Sequence, residues 1–262
     1  MPDIDVAKLA DRLNAAVREA GDLALKTFRG TLRSWTKGKD SPVCEADIAV
    51  NELLHDRLNG EGFGWLSEES VDDPRRLAAG RVWVVDPIDG TRAYIAGLSE
   101  WTIAAALVED GRPVIAAVFA PVAEELFTAT AGGGAWCNGA RIMTSAGDGL
   151  DGARFAGPRS ILERLQKTVP AIVPLPRVAS LALRLTRVAQ GTVDAAMASG
   201  NSHDWDLAGA DLLVHEAGGR LTTLSGQRLV YNQAKPVHSA LVAAGRGRHE
   251  RLIGLMRDHA AG

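Results

Sequence analysis

The strongest chemical signal in the sequence is the segment DPIDGT at 86–91, which holds two aspartates three positions apart. It follows the apolar, β-rich run at 81–85, so we expect both carboxylates at the tip of a buried strand. Carboxylates are the hard oxygen ligands that Mg²⁺ prefers, and the Ile88 carbonyl adds an oxygen between them. If Gly90 and Thr91 begin a helix, their free amides favour an anion such as phosphate. A helix-capping Asp followed by a turn Asp is the alternative interpretation.

Three further acidic positions lie in comparable places. Glu68 and Glu69 follow an apolar run, and Asp47 and Asp206 each stand where a predicted helix begins. Any one of them alone is explained as a helix cap or a solvated surface acid. Five converging carboxylates would repel one another strongly, and divalent cations relieve such repulsion. Together the acids therefore favour a metal site.

The elements that position these acids follow from hydrophobic spacing. Spacings of three and four predict helices over 4–28 and 46–58, and apolar runs divided by turn residues predict an antiparallel meander over 101–130. The later half alternates predicted strands and helices, including helices over 181–190 and 206–217. We therefore predict α+β structure in an N-terminal domain at 1–145, which carries most of the metal ligands. An α/β C-terminal domain at 146–262 would contribute Asp206 and residues of the substrate pocket.

Composition narrows the classes of function. The chain has 262 residues, two cysteines and a formal net charge of −3, so a large hydrophobic core is available without disulfides. Proteins that bind nucleic-acid backbones are usually basic, which argues against that partner. The first residues do not resemble a signal peptide, and no apolar run has the length of a membrane span. We expect a cytoplasmic protein with neither nucleic acid nor membrane as partner.

Four motifs, in this order along the chain, resemble those of the inositol monophosphatase family of lithium-sensitive, Mg²⁺-dependent phosphatases. The resemblance spans about residues 35 to 245 and implies a layered αβαβα sandwich of the sugar phosphatase type. Many relatives are homodimers, so a homodimer is implied as well. The motifs are SPVCEAD at 41–47, SEES at 67–70, WVVDPIDGT at 83–91, and WDLAGA at 205–210 followed by EAGG at 216–219.

The resemblance also assigns roles to individual residues. It implies two or three Mg²⁺ ions and attack of metal-activated water on a small phosphorylated metabolite. Asp47 and Thr91 would position and activate the water, and Glu68 would help to hold it. The implied metal ligands are Glu68, Asp86, the Ile88 carbonyl, Asp89 and Asp206. The implied phosphate and substrate contacts are Gly90, Thr91, Ser180, Ser199 and Asp206.

The sequence leaves the substrate open. Ser199 stands where inositol-specific relatives carry a glutamate that binds sugar hydroxyls, which weakens a strict inositol preference. Ser180 and Leu181 resemble the bisphosphate nucleotidase and histidinol phosphatase branches, but Ala182 replaces a lysine common in bisphosphate nucleotidases. We predict hydrolysis of 3'-phosphoadenosine 5'-phosphate or inositol 1-phosphate. The alternatives are histidinol phosphate, or a non-catalytic regulatory protein that keeps the fold.

Two departures concern single side chains. Cys44 replaces a threonine usual in relatives, and we interpret it as a small buried residue with no nucleophilic role. Arg184 and Arg187 could bind a second phosphate, although surface arginines on an exposed helix face are the expected interpretation.

Overall fold

The predicted helices and strands occur in their predicted order, and the computed structural model describes residues 5–37, 41–60 and 62–258. The α-helices within these ranges are α1 Val6–Thr27, α2 Glu45–Leu58, α3 Thr91–Ile95, α4 Arg159–Thr168, α5 Leu181–Ala189, α6 Asp204–Glu216 and α7 Arg246–Asp258. Short 3₁₀ helices span Pro74–Ala78 and Pro121–Ala123. No helix in the described part of the chain is long and apolar enough to cross a membrane.

The strands form two large sheets and two small ones. The first large sheet has seven strands in chain order: β3 Phe63–Ser67, β4 Arg81–Asp89, β5 Thr102–Glu109, β6 Arg112–Ala120, β7 Glu125–Thr130, β8 Gly134–Cys137 and β9 Ala140–Ile142. The second has the spatial order β11 Val173–Pro174, β10 Arg154–Ala156, β12 Ala195–Ala198, β16 Leu241–Gly245 and β14 Gly219–Thr223. The small sheets pair β1 Ser34–Lys37 with β2 Ser41–Cys44, and β13 Ser202–His203 with β15 Val237–His238.

Side-chain alternation along β4 shows how the layers are built. Trp83 and Val85 face one side of the seven-stranded sheet and pack with α1 and α2, whereas Val82 and Val84 face α5 and α6. The five-stranded sheet covers the other side of α5 and α6 with Leu241. Its outer face packs on α4 and α7. The order of layers is therefore helix, sheet, helix, sheet, helix, which confirms the predicted αβαβα sandwich.

Helix α6 lies against the middle strands of the seven-stranded sheet, where it contacts β4, β5, β6 and β7. Gly209 permits this approach, because a Cβ atom there would stand 3.2 Å from Val118 Cγ2 and 3.6 Å from the Ala105 carbonyl oxygen. The close packing brings the N-terminal turn of α6 to the end of β4. A residue of the second half thus reaches acids of the first half.

The seven-stranded sheet lies within residues 1–145 and the five-stranded sheet within 146–262, but α5 and α6 pack on both. The division into two domains stays a prediction.

The boundaries of the elements differ from the sequence expectation mainly at β4. The strand does not end at Asp86; it continues to Asp89 through a register shift opposite β5. The proline interrupts the ladder because it has no N–H, and the strand resumes beyond it.

Candidate metal centre

The register shift in β4 determines how the two aspartates of DPIDGT are placed. Residues three apart on a regular strand point to opposite faces of the sheet. Between Asp86 and Asp89 the pairing with β5 slips, and both carboxylates come to one end of the strand. The first turn of α6 adds Asp206. Ligand oxygens of these three residues all lie within 4.8 Å of one another.

We call Asp47, Glu68, Asp86, Asp89 and Asp206 the acidic centre. Three of its members lie at the N-terminal ends of helices. Asp47 Oδ2 accepts a hydrogen bond at 2.8 Å from the amide of Cys44, the N-cap of α2, and Asp206 Oδ2 accepts one at 2.6 Å from the amide of His203, the N-cap of α6. Both are side chains in the first turn of the helix that they cap.

Asp89 is held by a helix that does not follow it in sequence. Its Oδ2 accepts hydrogen bonds from Ser180 Oγ at 2.7 Å and from the Ala182 amide at 2.5 Å, and its Oδ1 accepts one from the Leu181 amide at 3.2 Å. Helix N-termini present unpaired amides and a partial positive charge. The amides of α2, α5 and α6 therefore stabilise the ionised forms of Asp47, Asp89 and Asp206.

Asp86 has no such support. The residue is 1% exposed, and Asp86 Oδ1 is one of the buried side-chain atoms that have no hydrogen-bond partner within the described residues. Burial raises the pKa of Asp86 well above its usual value, and the charges of Glu68, Asp89, Asp206 and Asp47 raise it further. A buried carboxylate oxygen that faces other acids and lacks a donor fits a divalent cation. The residues present thus suit the predicted metal.

Burial also raises the pKa of Asp206 well above its usual value, with Asp89 as the next cause. For Asp89 burial raises the pKa, while the hydrogen bond from Ser180 and the amides of α5 oppose the rise. In the absence of a cation, the carboxylates of the acidic centre cannot all ionise without a free-energy cost. A bound divalent cation would return their pKa values toward the ionised range.

Asp47 and Thr91 form a hydrogen-bonded pair at the edge of the acidic centre. Thr91 Oγ1 lies 3.1 Å from Asp47 Oδ1 and 3.0 Å from the Ile88 carbonyl oxygen, so its single proton is offered to one of two acceptors. Burial raises the pKa of Asp47, and hydrogen bonds from Cys44 and Thr91 oppose the rise. The pair can accept and pass on a proton at one defined position.

Glu68, the remaining member of the acidic centre, is in contact with Lys37. The Glu68 amide donates to the Val85 carbonyl at 3.3 Å, which keeps the residue beside the end of β4. Lys37 Nζ donates to the Glu68 carbonyl oxygen at 3.3 Å and forms an ion pair with Glu69. Burial lowers the pKa of Lys37, while the charges of Glu68 and Asp47 oppose the shift. Sequence reasoning missed Lys37, because a lysine at the end of a short strand carries no signal of a distant acidic partner.

Gly90 occupies the sharp corner between β4 and α3. Its φ of 97° lies in the left-handed region, and a Cβ atom there would stand 2.9 Å from the Glu100 carbonyl oxygen. Only glycine fits the corner without strain. The predicted role of the Gly90 and Thr91 amides in holding phosphate stays a prediction.

The remaining predicted substrate residues fall in two different environments. Ser180 is fully buried and binds Asp89 and Thr102 Oγ1, so its observed contacts position the acidic centre. Ser199 is exposed and lies on the wall of a cavity of about 740 Å³ that Leu181 and Ser202 also line.

The expectation that Arg184 lies on an exposed helix face is wrong. The residue is 9% exposed, because the five-stranded sheet covers that side of α5. Arg187, one turn further along, pairs with Glu125 and lies over the Phe127 ring. Cys44 is buried as expected, and its thiol donates to Asp47 Oδ2. Burial raises the pKa of the Cys44 thiol to about 12, which suits a residue with no nucleophilic role.

A scan against family models matches residues 5–261 to the inositol monophosphatase family. The chain belongs to this family. A 3'-phosphoadenosine 5'-phosphate phosphatase of Mycobacterium leprae is 35% identical over 81% of each chain. A histidinol-phosphatase of Mycobacterium tuberculosis is 36% identical over 74% of this chain and 79% of its own length. A Nus factor SuhB of Xylella fastidiosa is 32% identical over 80% of each.

Solved structures give the same fold. The crystal structure of the extragenic suppressor protein SuhB from Bartonella henselae superposes with a TM-score of 0.83 at 26% identity, covering 94% of this chain and 97% of that one. The family is metal-dependent, and the acidic cluster of this member could hold a metal ion. The family and its phosphatase-named relatives support phosphatase activity on small phosphate esters.

Proposed function

We propose that this protein hydrolyses a small phosphate monoester with Mg²⁺, and that 3'-phosphoadenosine 5'-phosphate and inositol 1-phosphate are the leading candidate substrates. The observation that carries the proposal is Asp86 Oδ1, which has no hydrogen-bond partner in the described part of the chain and is buried among acids beside the Asp47 and Thr91 pair. This arrangement has a place for a divalent cation and a group that can accept a proton. Both are needed for attack of water on a phosphate ester.

Hydrolysis forms a bond from a water oxygen to phosphorus and breaks the bond from phosphorus to the ester oxygen. One proton must leave the attacking water, and the departing alkoxide must gain one. In this proposal Thr91 Oγ1 accepts the water proton while it donates its own to Asp47 Oδ1, 3.1 Å away. The raised pKa of Asp47 favours its acceptance of that proton.

The remaining residues would bind the cations and orient the phosphate. Asp86, Asp89, Asp206, Glu68 and the Ile88 carbonyl would hold two or three Mg²⁺ ions, which when bound supply Lewis acidity toward water and phosphoryl oxygens. The amides of Gly90 and Thr91 would receive the phosphate. The amides of α5 favour the ionised form of Asp89 and fix its orientation through two oxygens.

Two other functions remain in competition. The Mycobacterium tuberculosis relative is named a histidinol-phosphatase, which makes histidinol phosphate the third candidate substrate. The Nus factor name of other relatives favours a regulatory protein that keeps the fold. A purely regulatory protein has no need of the proton-accepting pair, and Asp47 and Thr91 are both present at hydrogen-bond distance. We therefore favour catalysis.

The test is phosphate release from 3'-phosphoadenosine 5'-phosphate, inositol 1-phosphate, histidinol phosphate and fructose 1,6-bisphosphate, with kcat/KM compared side by side. We expect turnover with added Mg²⁺, none in EDTA, and inhibition by Li⁺. Asp47→Asn should abolish most of the turnover. Asp56→Asn is the matched control, because Asp56 lies on the same helix and is largely exposed. Full metal binding with no turnover on any ester would favour the regulatory alternative.

The homodimer and the cytoplasmic location also stay predictions. Light scattering of the purified protein would measure the oligomeric state, and the share of enzyme activity that sediments with membranes would test the location.

A further inference from the structure

Beside the acidic centre lies the cavity of about 740 Å³ on whose wall Ser199 stands. The two sites share the first turn of α5. The Leu181 amide donates to Asp89 Oδ1, while Leu181 also lines the cavity. Arg184 follows one helical turn later, about 4.5 Å further along the helix axis, and lines the cavity as well.

Arg184 has unused hydrogen-bonding capacity in a place that water does not reach freely. Its Nη1 donates to the Met197 carbonyl at 3.1 Å and its Nη2 to the Val178 carbonyl at 3.1 Å. Its Nε is buried and has no hydrogen-bond partner within the described residues. A buried guanidinium nitrogen without an acceptor destabilises the protein, so a ligand that supplies the acceptor should bind more tightly.

The charges around Arg184 also favour an anion. Burial lowers the pKa of Arg184, the negative charge of Asp89 opposes this, and the positive charge of Arg177 lowers the pKa further. Arg177 is exposed and lines the same cavity. Asp89 carries a single negative charge against the two positive charges, and its oxygens accept from Ser180 and from the amides of α5. Of the three arginines that line the cavity, Arg159 pairs with Glu163, whereas Arg177 and Arg184 have no acid as hydrogen-bond partner among these contacts.

The other walls give the cavity its selectivity. Leu162 and Leu175 offer apolar surface, and the hydroxyl groups of Ser199 and Ser202 are polar without charge. Glu163 lines this cavity and pairs there with Arg159, and no carboxylate of the acidic centre lines it. A ligand that fits has an organic body for the apolar wall and a negatively charged group for the arginines.

We propose that Arg184, assisted by Arg177, binds a second anionic group of the substrate, so that the enzyme prefers phosphate esters that carry two phosphates over matched monophosphates. This inference rests on the proposed phosphatase activity and deepens it. It places the bisphosphorylated nucleotide ahead of inositol 1-phosphate among the candidate substrates. Arg184 would act as a specificity-determining residue that touches the substrate at the end remote from the reacting phosphate.

The experiment compares two substrates that differ only in the second phosphate: adenosine 3',5'-bisphosphate and adenosine 3'-monophosphate. The measured quantity is the ratio of their kcat/KM values, because damage to the acidic centre changes both values alike. We expect the natural protein to favour the bisphosphate. Arg184→Met should lower the ratio about ten- to a hundredfold, chiefly through KM, as loss of a charged hydrogen bond predicts.

Three further variants keep the test decisive if Arg184→Met folds poorly. Arg184→Lys retains the charge and should give an intermediate ratio. Ser199→Glu adds a negative charge to an exposed position on the cavity wall, and should lower the ratio without disturbing the core. Arg187→Gln is the matched control on the same helix, and should leave the ratio unchanged because Arg187 faces Glu125 and Phe127.

The outcomes separate the two proposals. Turnover of both substrates with no preference, or an equal fall of both kcat/KM values in Arg184→Met, would overturn the second-anion site and leave the phosphatase intact. Absence of turnover on every ester with Mg²⁺ present would overturn the proposed function itself.

Discussion

Carboxylates with little exposure to solvent occur in two parts of the molecule, and their hydrogen-bond partners differ. Directly before β12, Asp194 accepts from the backbone and guanidinium of Arg154, and in the first turn of α6 Asp204 accepts from the Asn232 amide and lies 2.7 Å from His238 Nε2. Both carboxylates have hydrogen-bond partners within the chain. In the acidic centre Asp86 has no donor for Oδ1 within the described residues and faces four other acids.

The pKa values show the consequence. Burial would raise the pKa of Asp194, but the hydrogen bonds from Arg154 hold it well below the usual range. The pKa of Asp86 moves in the opposite direction. A chain can neutralise a buried acid with its own cation and so gain stability, or leave it for an external cation and so gain a binding site. We therefore expect an acid with a lowered pKa, such as Asp194, to stabilise the fold, and an acid with a raised pKa, such as Asp86, to bind the cation.

The largest expected effect comes from Asp86→Asn. Removal of this charge should lower kcat/KM at least about 1000-fold, because the variant loses a ligand and the electrostatic stabilisation that depends on it. The same change should raise the thermal stability of the metal-free protein, since it removes a repelled buried charge. Phosphate release and calorimetry in EDTA measure the two results. Asp211→Asn is the control, a half-buried acid that binds Tyr231 outside the acidic centre. A fall in metal-free stability for Asp86→Asn would contradict the comparison.

Asp194→Asn should do the reverse. Loss of the charge that accepts from Arg154 should lower the free energy of unfolding by about 2 kcal/mol at neutral pH. The activity per folded molecule should stay within about twofold, since nothing in the acidic centre contacts Asp194. Denaturant titration with and without Mg²⁺ measures the first result, and active-site-normalised turnover the second. Arg159→Gln, which breaks an exposed pair with Glu163, supplies a control with little effect. A loss of Mg²⁺ affinity in Asp194→Asn would show that the two regions are coupled.

The pH dependence of stability should differ between the metal-free and metal-bound protein. Asp86 and Asp206 have folded-state pKa values raised above their unfolded values, so their contribution is fully present in acid and is lost as the pH rises through the raised values. Asp194 works the other way, and its contribution is lost only as the pH falls below the usual carboxylate range. We expect the metal-free protein to lose about 1–2 kcal/mol between pH 5 and 8, and Mg²⁺ to cancel this loss. Thermal melts across that range, with and without Mg²⁺, test it; a metal-free protein equally stable at both ends would contradict it.

The smallest effect should come from Cys44→Thr. Threonine is a better helix N-cap than cysteine, and its hydroxyl would replace the thiol that donates to Asp47 Oδ2. We expect a gain of about 0.5 kcal/mol in unfolding free energy and a change of less than about threefold in kcat. Cys44→Val is the matched control, because it keeps the shape and removes the donor. A large loss of activity in Cys44→Thr would show that the thiol itself tunes Asp47.

Much of the acidic centre could be predicted from sequence because its residues occupy local positions with recognisable chemistry. Asp47 and Asp206 lie in the first turns of amphipathic helices, and the DPIDGT segment follows an apolar strand. Local spacing determines helices and strands, and family motifs identify which acids belong together. The αβαβα order followed from the same information.

Tertiary structure decided what depends on contacts between distant residues. The register shift of β4 brings the carboxylates of Asp86 and Asp89 to the same end of the strand. The amides of α5, about ninety residues further along the chain, donate to Asp89. The same packing buries Arg184, although its position on an amphipathic helix gave no sign of the second sheet that covers it. Sequence spacing reports which side chains share a local face, whereas burial and the direction of a pKa shift depend on what packs against that face. For this reason the sequence alone determined the acids and their order, and only the fold decided which of them receive hydrogen bonds from the chain and which oxygen lacks a donor within the described residues.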